Sequence, residues 1–244
     1  MSPLYFLHPC FASKAEHIRK NSSKGFSFSA EMIVGNNAVL SDSALQALEK
    51  NIESYYRDIH DERIFISSTC HDLHNERARV DEVLTEIGFD VVRSDGDKFN
   101  STLKGEHSHD HCINELAKCK YVIFIISSRF GGEYCGEVYK KYADEIAEIN
   151  PKLSKPSISL MEYYVARKLR LETHVFVDSK VFNERLSYKN NIKINPNYIP
   201  SFVDDNRVFE IVDFVTKQNN DNWFRQYNDL QNLSELIQIV FEKK

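Results

Sequence analysis

Between Arg63 and Thr69 the chain reads Arg-Ile-Phe-Ile-Ser-Ser-Thr. Three consecutive apolar residues make a short strand covered on both faces, the kind found inside a parallel sheet; a half-exposed strand would alternate instead. An amphipathic stripe follows at once, carried by Leu73, Val80, Val83, Leu84 and Ile87. A buried strand passed straight to a helix restricts the fold to the α/β class, in which helices cover a mostly parallel sheet. The hydroxyl turn Ser67-Ser68-Thr69 stands where such sheets open their ligand crevice, at the carboxyl ends of strands. Its hydroxyls and backbone N–H groups suit phosphate or ribose oxygens. Equally, Ser68 or Thr69 serves as the N-cap of the helix.

The pattern repeats downstream. Strand one is Arg63–Ser67 and helix one spans about Asp72 to Ile87, with Gly88 at a left-handed stop. Strand two, Phe89–Arg93, ends in the acidic turn Ser94-Asp95-Gly96-Asp97, and helix two covers about His109 to Lys118. Tyr121–Ile126, the most apolar run, is the expected centre of the sheet. A charged helix is expected over Tyr134–Ile149, ended by Asn150-Pro151, and another from Pro156-Ser157-Ile158-Ser159 to about Arg170. Thr173–Val177 is strand four, 180–205 reads as an Asn-, Lys- and Pro-rich surface loop, and Val208–Val215 as a helix. Trp223–Tyr227 is a short edge strand, and Leu230–Phe241 a helix capped by Asn228 or Asp229. Residues 1–60 form an N-terminal extension before the domain at 61–244; its later part carries one stripe, Leu45, Leu48, Ile52, Tyr55 and Ile59.

Bulk properties narrow the function. Thirty-one basic and 36 acidic residues leave a net charge of −5, so nucleic-acid binding through a broadly basic surface is not indicated. No apolar stretch approaches the length of a membrane span, and the segment from Met1 to Pro9 lacks the basic start and apolar core of a signal peptide. The five cysteines, Cys10, Cys70, Cys112, Cys119 and Cys135, are odd in number and include no C-x-x-C pair. That pattern fits reduced thiols in the cytoplasm.

Chemistry-bearing residues converge on the expected crevice: Ser67, Ser68 and Thr69, then Asp95 and Asp97, then Ser127-Ser128-Arg129, and the helix start Ser159-Leu160-Met161-Glu162. A glutamate at the first turn of a helix can stabilise a developing cation or attack an anomeric carbon, as cleavage of an N-glycosidic bond requires. Against this, Ser159 and Glu162 have the spacing of a capping box, in which the glutamate only serves a backbone N–H. Arg129 meets a phosphate or carboxylate of a ligand, or else pairs with Asp95 or Asp97. The cluster His107-Ser108-His109-Asp110-His111 lacks a partner group at metal-ligand spacing and reads as a polar helix start rather than a metal site. Cys70 lies near a helix N-terminus, but no histidine–asparagine framework accompanies it, which favours a small buried or half-buried residue.

Three segments together carry a resemblance: I-F-I-S-S-T-C-H-D-L-H-N-E-R, C-I-N-E-L-A-K-C-K-Y-V-I-F-I-I-S-S-R-F-G-G and S-I-S-L-M-E-Y-Y-V-A-R-K-L-R-L-E-T-H-V-F-V. Over about 63 to 178 the chain resembles a TIR-like family of uncharacterised domains, whose hallmark is a strand ending in Ser-Ser-Thr with Asp-Leu and Glu-Arg downstream. That family is similar in fold to Toll/interleukin-1 receptor domains and, more distantly, to nucleoside 2-deoxyribosyltransferases. The resemblance implies a flavodoxin-like five-stranded sheet with helices on both faces. It implies a nucleotide-processing effector of bacterial antiphage defence that cleaves the N-glycosidic bond of NAD or a related nucleotide, with Glu162 catalytic. NAD is then substrate, and no cofactor is implied. Ser67, Ser68, Thr69, Asp95, Arg129 and Phe130 would line the nucleotide site, while Asp72 and Arg77 hold the loop in shape. Two alternatives stay open: a non-catalytic module binding a nucleotide signal or partner protein, and a nucleoside deoxyribosyltransferase-like enzyme. A second copy of the chain or a partner defence protein is the expected associate. The charged stretch between Phe130 and Ser157, the His-rich run and the first sixty residues depart from the family pattern.

Overall fold

The computed structural model describes residues 63–96, 99, 107–218 and 222–242. The stripe from Leu45 to Ile59, the boundary near residue 60 and Asp97 lie outside the described residues.

Five strands alternate with helices: β1 (Arg63–Ser67), α1 (His74–Ile87), β2 (Asp90–Val92), α2 (Ser108–Leu116), β3 (Tyr121–Ile126), α3 (Lys140–Ile149), a 3-10 turn (Pro151–Leu153), α4 (Ile158–Lys168), β4 (Glu172–Asp178), α5 (Ser179–Ile194), α6 (Arg207–Thr216), β5 (Asn222–Tyr227) and α7 (Leu230–Phe241). The sheet order is β2-β1-β3-β4-β5 and every neighbouring pair is parallel, the flavodoxin-like order. β3 is buried at every residue, as its uniformly apolar sequence requires.

The period-two geometry of the strands divides the core into faces. Ile64, Ile66, Ile123 and Ile125 meet Val80 and Leu84 of α1 and Leu233, Ile237 and Phe241 of α7 on one face. Phe124, Ile126, Val175 and Val177 meet α4 and α6 on the other, beside a smaller group in which Phe65 and Val122 pack with Leu116 and Cys119. Gly88, at φ 111°, returns its N–H to Leu84 and Thr85 and closes α1. Asp229 caps α7 by accepting from the N–H of Asn232.

Two sequence expectations are corrected. Tyr134 to Tyr139 is a loop, and α3 begins only at Lys140. The cause is long-range: Asp110 takes the Tyr134 hydroxyl and the N–H groups of Glu137 and Val138, so those donors are not spent on a helix. The stretch 180–205 is not one loop, because Ser179–Ile194 is helical. Asp178 caps it by accepting from Lys180, and Glu184 then accepts the N–H groups of Ser201 and Phe202, tying the following turn back onto the helix.

Candidate active site

β1 lies between β2 and β3, so successive connections leave its two sides in opposite directions. Open α/β sheets bind ligands at such a switch point. Here the carboxyl ends of β1, β2 and β3 and the start of α4 border a cleft of about 600 Å³.

The three hydroxyls at the end of β1 point to three different partners. Ser67, fully buried, donates to Glu162 Oε2 at 2.6 Å. Ser68 accepts from Arg77 Nη1 at 2.9 Å and donates to the Thr69 carbonyl at 3.2 Å. Thr69 donates to Asp72 Oδ1 at 2.5 Å. None caps a helix: α1 starts at His74, and Leu73, at its N-cap, makes no side-chain cap bond. The capping expectation for Ser68 and Thr69 is therefore corrected; the hydroxyls bind side chains instead.

Arg77 is fully buried and gathers the turn around itself. Its Nη1 donates to the carbonyls of Ile66 and Ser68, while Nε and Nη2 both reach Asp95 Oδ1, at 2.9 and 2.6 Å. Nη2 also donates to Ser94 Oγ at 3.3 Å. Burial pushes the Asp95 carboxyl up, but the guanidinium groups of Arg77 and Arg93 outweigh it and hold the group below its ordinary value. Asp95 thus anchors the turn rather than facing a ligand, and Ser94 takes the place bordering the cleft.

The capping-box expectation for Ser159 and Glu162 is also corrected. The N-cap of α4 is Ser157, which accepts from the N–H of Leu160 at 3.2 Å. Glu162, 4 % exposed, turns toward the end of β1 and borders the cleft. Burial pushes its carboxyl up to about 7, although the Ser67 hydrogen bond and the charge of Arg77 pull the other way. Near neutral pH this group is therefore poised between its two protonation states.

The other expected site residues separate. Arg129 is exposed on the cleft rim and makes no hydrogen bond or ion pair with a described residue; neither half of the pairing with Asp95 is used, since Asp95 faces Arg77 and Arg93. Phe130 is corrected: its ring is buried beneath the Arg207 guanidinium, 3.8 Å from the ring centroid, and packs in the core instead of the cleft. Its backbone N–H donates to Asp204, which reaches the cleft from far along the chain. Next to it Gly131 adopts φ 82°, and a Cβ there would stand 2.8 Å from Thr69 Cγ2, so side chains are doubly disfavoured at this point of the rim.

The histidine run does local work. His107 caps α2 by accepting from the N–H of His109, and His109 Nδ1 accepts from the N–H of Cys135. Cys70 is exposed on the cleft, 3.5 Å from Ser94 Oγ, contrary to the expectation of a buried or half-buried residue. Cys112, across the cleft, is buried and its thiol is pushed up to about 12 by burial and then by Glu162, which leaves it protonated and unreactive. Asp204, Ser94 and Cys112 gave no local signal as cleft residues, since each arrives from a separate segment. Arg77 had one, an arginine three residues short of Val80 on the buried stripe.

In comparison with known proteins, residues 63–241 match the family described as Domain of unknown function (DUF4062). No curated protein and no solved structure matches the chain.

Proposed function

We propose that this chain, which belongs to the DUF4062 family, is a nucleotide-processing enzyme that cleaves the N-glycosidic bond of NAD or a related nucleotide, with Glu162 as its catalytic carboxylate. One observation carries the reading: Glu162 is a buried carboxyl poised near neutrality, bordering a cleft at the sheet's switch point into which a few polar side chains project. Its hydrogen-bond partner is the Ser67 hydroxyl, and the Arg77 guanidinium, which is bonded to Asp95, acts on it only through space.

The chemistry follows from that arrangement. The bond between C1′ of the ribose and the pyridinium nitrogen breaks with its electron pair going to nicotinamide, which leaves neutral and needs no proton. The positive charge that develops on the ribosyl carbon lies against ionised Glu162 in a site of low dielectric, where the attraction is strongest. Water then bonds to C1′, and its proton passes to Glu162, whose affinity for protons suits the task. Arg129 on the rim meets phosphate charge, and Thr69 with Ser94 offers hydroxyls to the sugar. A TIR-like relationship and a role in defence against phage are consistent with this reading and belong to it.

The test is nicotinamide release from NAD, with deoxynucleosides as competing substrates. Wild-type chain is expected to release nicotinamide, and Glu162→Gln to lose at least about a hundredfold in kcat, the scale of a removed electrostatic stabiliser. Full activity in Glu162→Gln removes the assignment; turnover of deoxynucleosides in preference to NAD moves the substrate class.

A further inference from the structure

We propose that Asp110 is a positioning residue of this cleft: through the segment 132–139 it holds the start of α4, and with it Glu162, in register with α2. The inference rests on the reading of Glu162 as the reacting carboxylate. Its geometry stands on other atoms.

The segment leaves β3 and is fastened twice. At its beginning Gly132 accepts from the N–H of Ile158, and Tyr134 donates to the Pro156 carbonyl, each at 2.9 Å, forming an antiparallel bridge between Glu133 and Ser157. Ser157 is the N-cap of α4, so the segment is joined to the point from which that helix, carrying Glu162, takes its direction. Arg207 Nη1 adds a bond to Glu133 at 2.9 Å while its guanidinium covers Phe130.

The second fastening is on α2. Asp110 Oδ1 accepts the Tyr134 hydroxyl, and Oδ2 accepts the N–H groups of Glu137 and Val138. The Tyr134 oxygen accepts in turn from the N–H of Tyr139, whose own hydroxyl donates to Asn114 at 2.5 Å. Gly136 lies so close to Asp110 and Tyr134 that a Cβ there would collide with both. An acid in the first turn of a helix needs only solvent and the helix dipole to be favourable. Asp110 is instead 2 % exposed and spends both oxygens on another segment. That burial is explained by the segment and not by the helix.

α2 supplies Cys112 and His109 to one wall of the cleft, and α4 supplies Ser159 and Glu162 to the other. The segment 132–139 is thus a strap between two walls, and Asp110 is its buckle. Released, the α4 wall keeps only its direct packing on α2, where Ile113 shares a cluster with Leu160 and Met161; water then reaches Glu162, and its carboxyl returns toward the ordinary carboxylate range.

The experiment uses the full chain and two readouts. Alkylation by iodoacetamide, followed by peptide mass spectrometry, gives separate rates for Cys112, which borders the cleft, and Cys119, which packs with Leu116 and Val122 in the core. In Asp110→Asn the Cys112 rate is expected to rise about tenfold with Cys119 unchanged, the signature of local opening rather than unfolding. Tyr134→Phe, which deletes a single bond, gives a smaller selective rise and stands in if Asp110→Asn fails to fold. In the same variants kcat for nicotinamide release falls and the midpoint of its pH profile moves down. Selective exposure of Cys112 in either variant supports the strap, and it does so even if no nucleotide is a substrate. Rates equal to wild type, or Cys112 and Cys119 rising together in both variants, overturn it. Selective exposure with kcat and the pH midpoint unchanged in an active enzyme breaks the link to Glu162.

Discussion

Two carboxylates lie on either side of the same serine turn, and they are treated in opposite ways. Asp95 receives two nitrogens of a fully buried arginine and a contact from Arg93, which together hold its carboxyl below the ordinary value despite its burial. Glu162 is more deeply buried yet has a serine hydroxyl as its hydrogen-bond partner, and holds its proton up to about 7. Burial alone therefore does not distinguish scaffold from chemistry in this cleft. The distinction is whether charge is answered by charge. A fully paired carboxylate holds the turn in place, whereas an underpaired one destabilises the fold and, on the function proposed above, is available to a cationic transition state.

Three experiments press on this contrast. The largest effect is expected from Arg77→Met, which leaves Asp95, Ser68 and two strand-end carbonyls without their donor; a loss of about 3–5 kcal/mol, read by urea denaturation, follows from breaking a buried pair. A loss under about 1 kcal/mol would show that Asp95 and Arg77 are not the scaffold half of the contrast.

Next is Glu162→Gln, which is expected to make the protein more stable as it removes activity. The folded value of Glu162, about 7, lies above its ordinary 4.5, so its contribution is fully present below about 4.5 and is lost as pH rises through 7. The Gln variant should therefore match wild type near pH 4.5 and exceed it at pH 8 by up to about 3 kcal/mol. A constant difference across that range would show that Glu162 is not raised by burial. The smallest effect is expected from Ser67→Ala. Losing the donor to the ionised carboxylate raises Glu162 further, moving the ascending limb of the pH–kcat profile up by about one unit. An unmoved limb would mean that Ser67 does not tune the group.

The elements that could be read in the sequence are those decided by their own residues. β1 and β3 were legible because short runs of consecutive, largely β-branched and aromatic residues suit a strand buried on both faces, and α7 because a clean stripe follows the two cap candidates Asn228 and Asp229, of which Asp229 takes the role. What failed was decided elsewhere in the chain. Tyr134–Tyr139 is expected to open the charged helix that follows, but its Gly136 and Val138 are poor helix formers and Asp110, upstream, claims its donors. α5 lies in an Asn- and Lys-rich stretch with almost no apolar stripe, and Glu184 folds the following turn onto it. In the site, Glu162 could be located to the right helix, but not to the right partner. Ser159 has the spacing of a cap, and only the structure shows that Ser157 takes that role and frees the glutamate for Ser67. Phe130 misled in the other direction, since a residue beside a cleft-lining arginine can point inward to the core.

The Arg77 guanidinium holds the carbonyls of Ile66 and Ser68 from a helix, in the manner of an adjoining strand. The last residues of β1 are thus fully engaged before any ligand arrives. A molecule entering the cleft orders nothing on this floor, and the entropy of binding is left to the rim, where Arg129 stands exposed. Differences in affinity among related ligands should then be set by how they engage that exposed guanidinium, with the floor contributing the same to all of them.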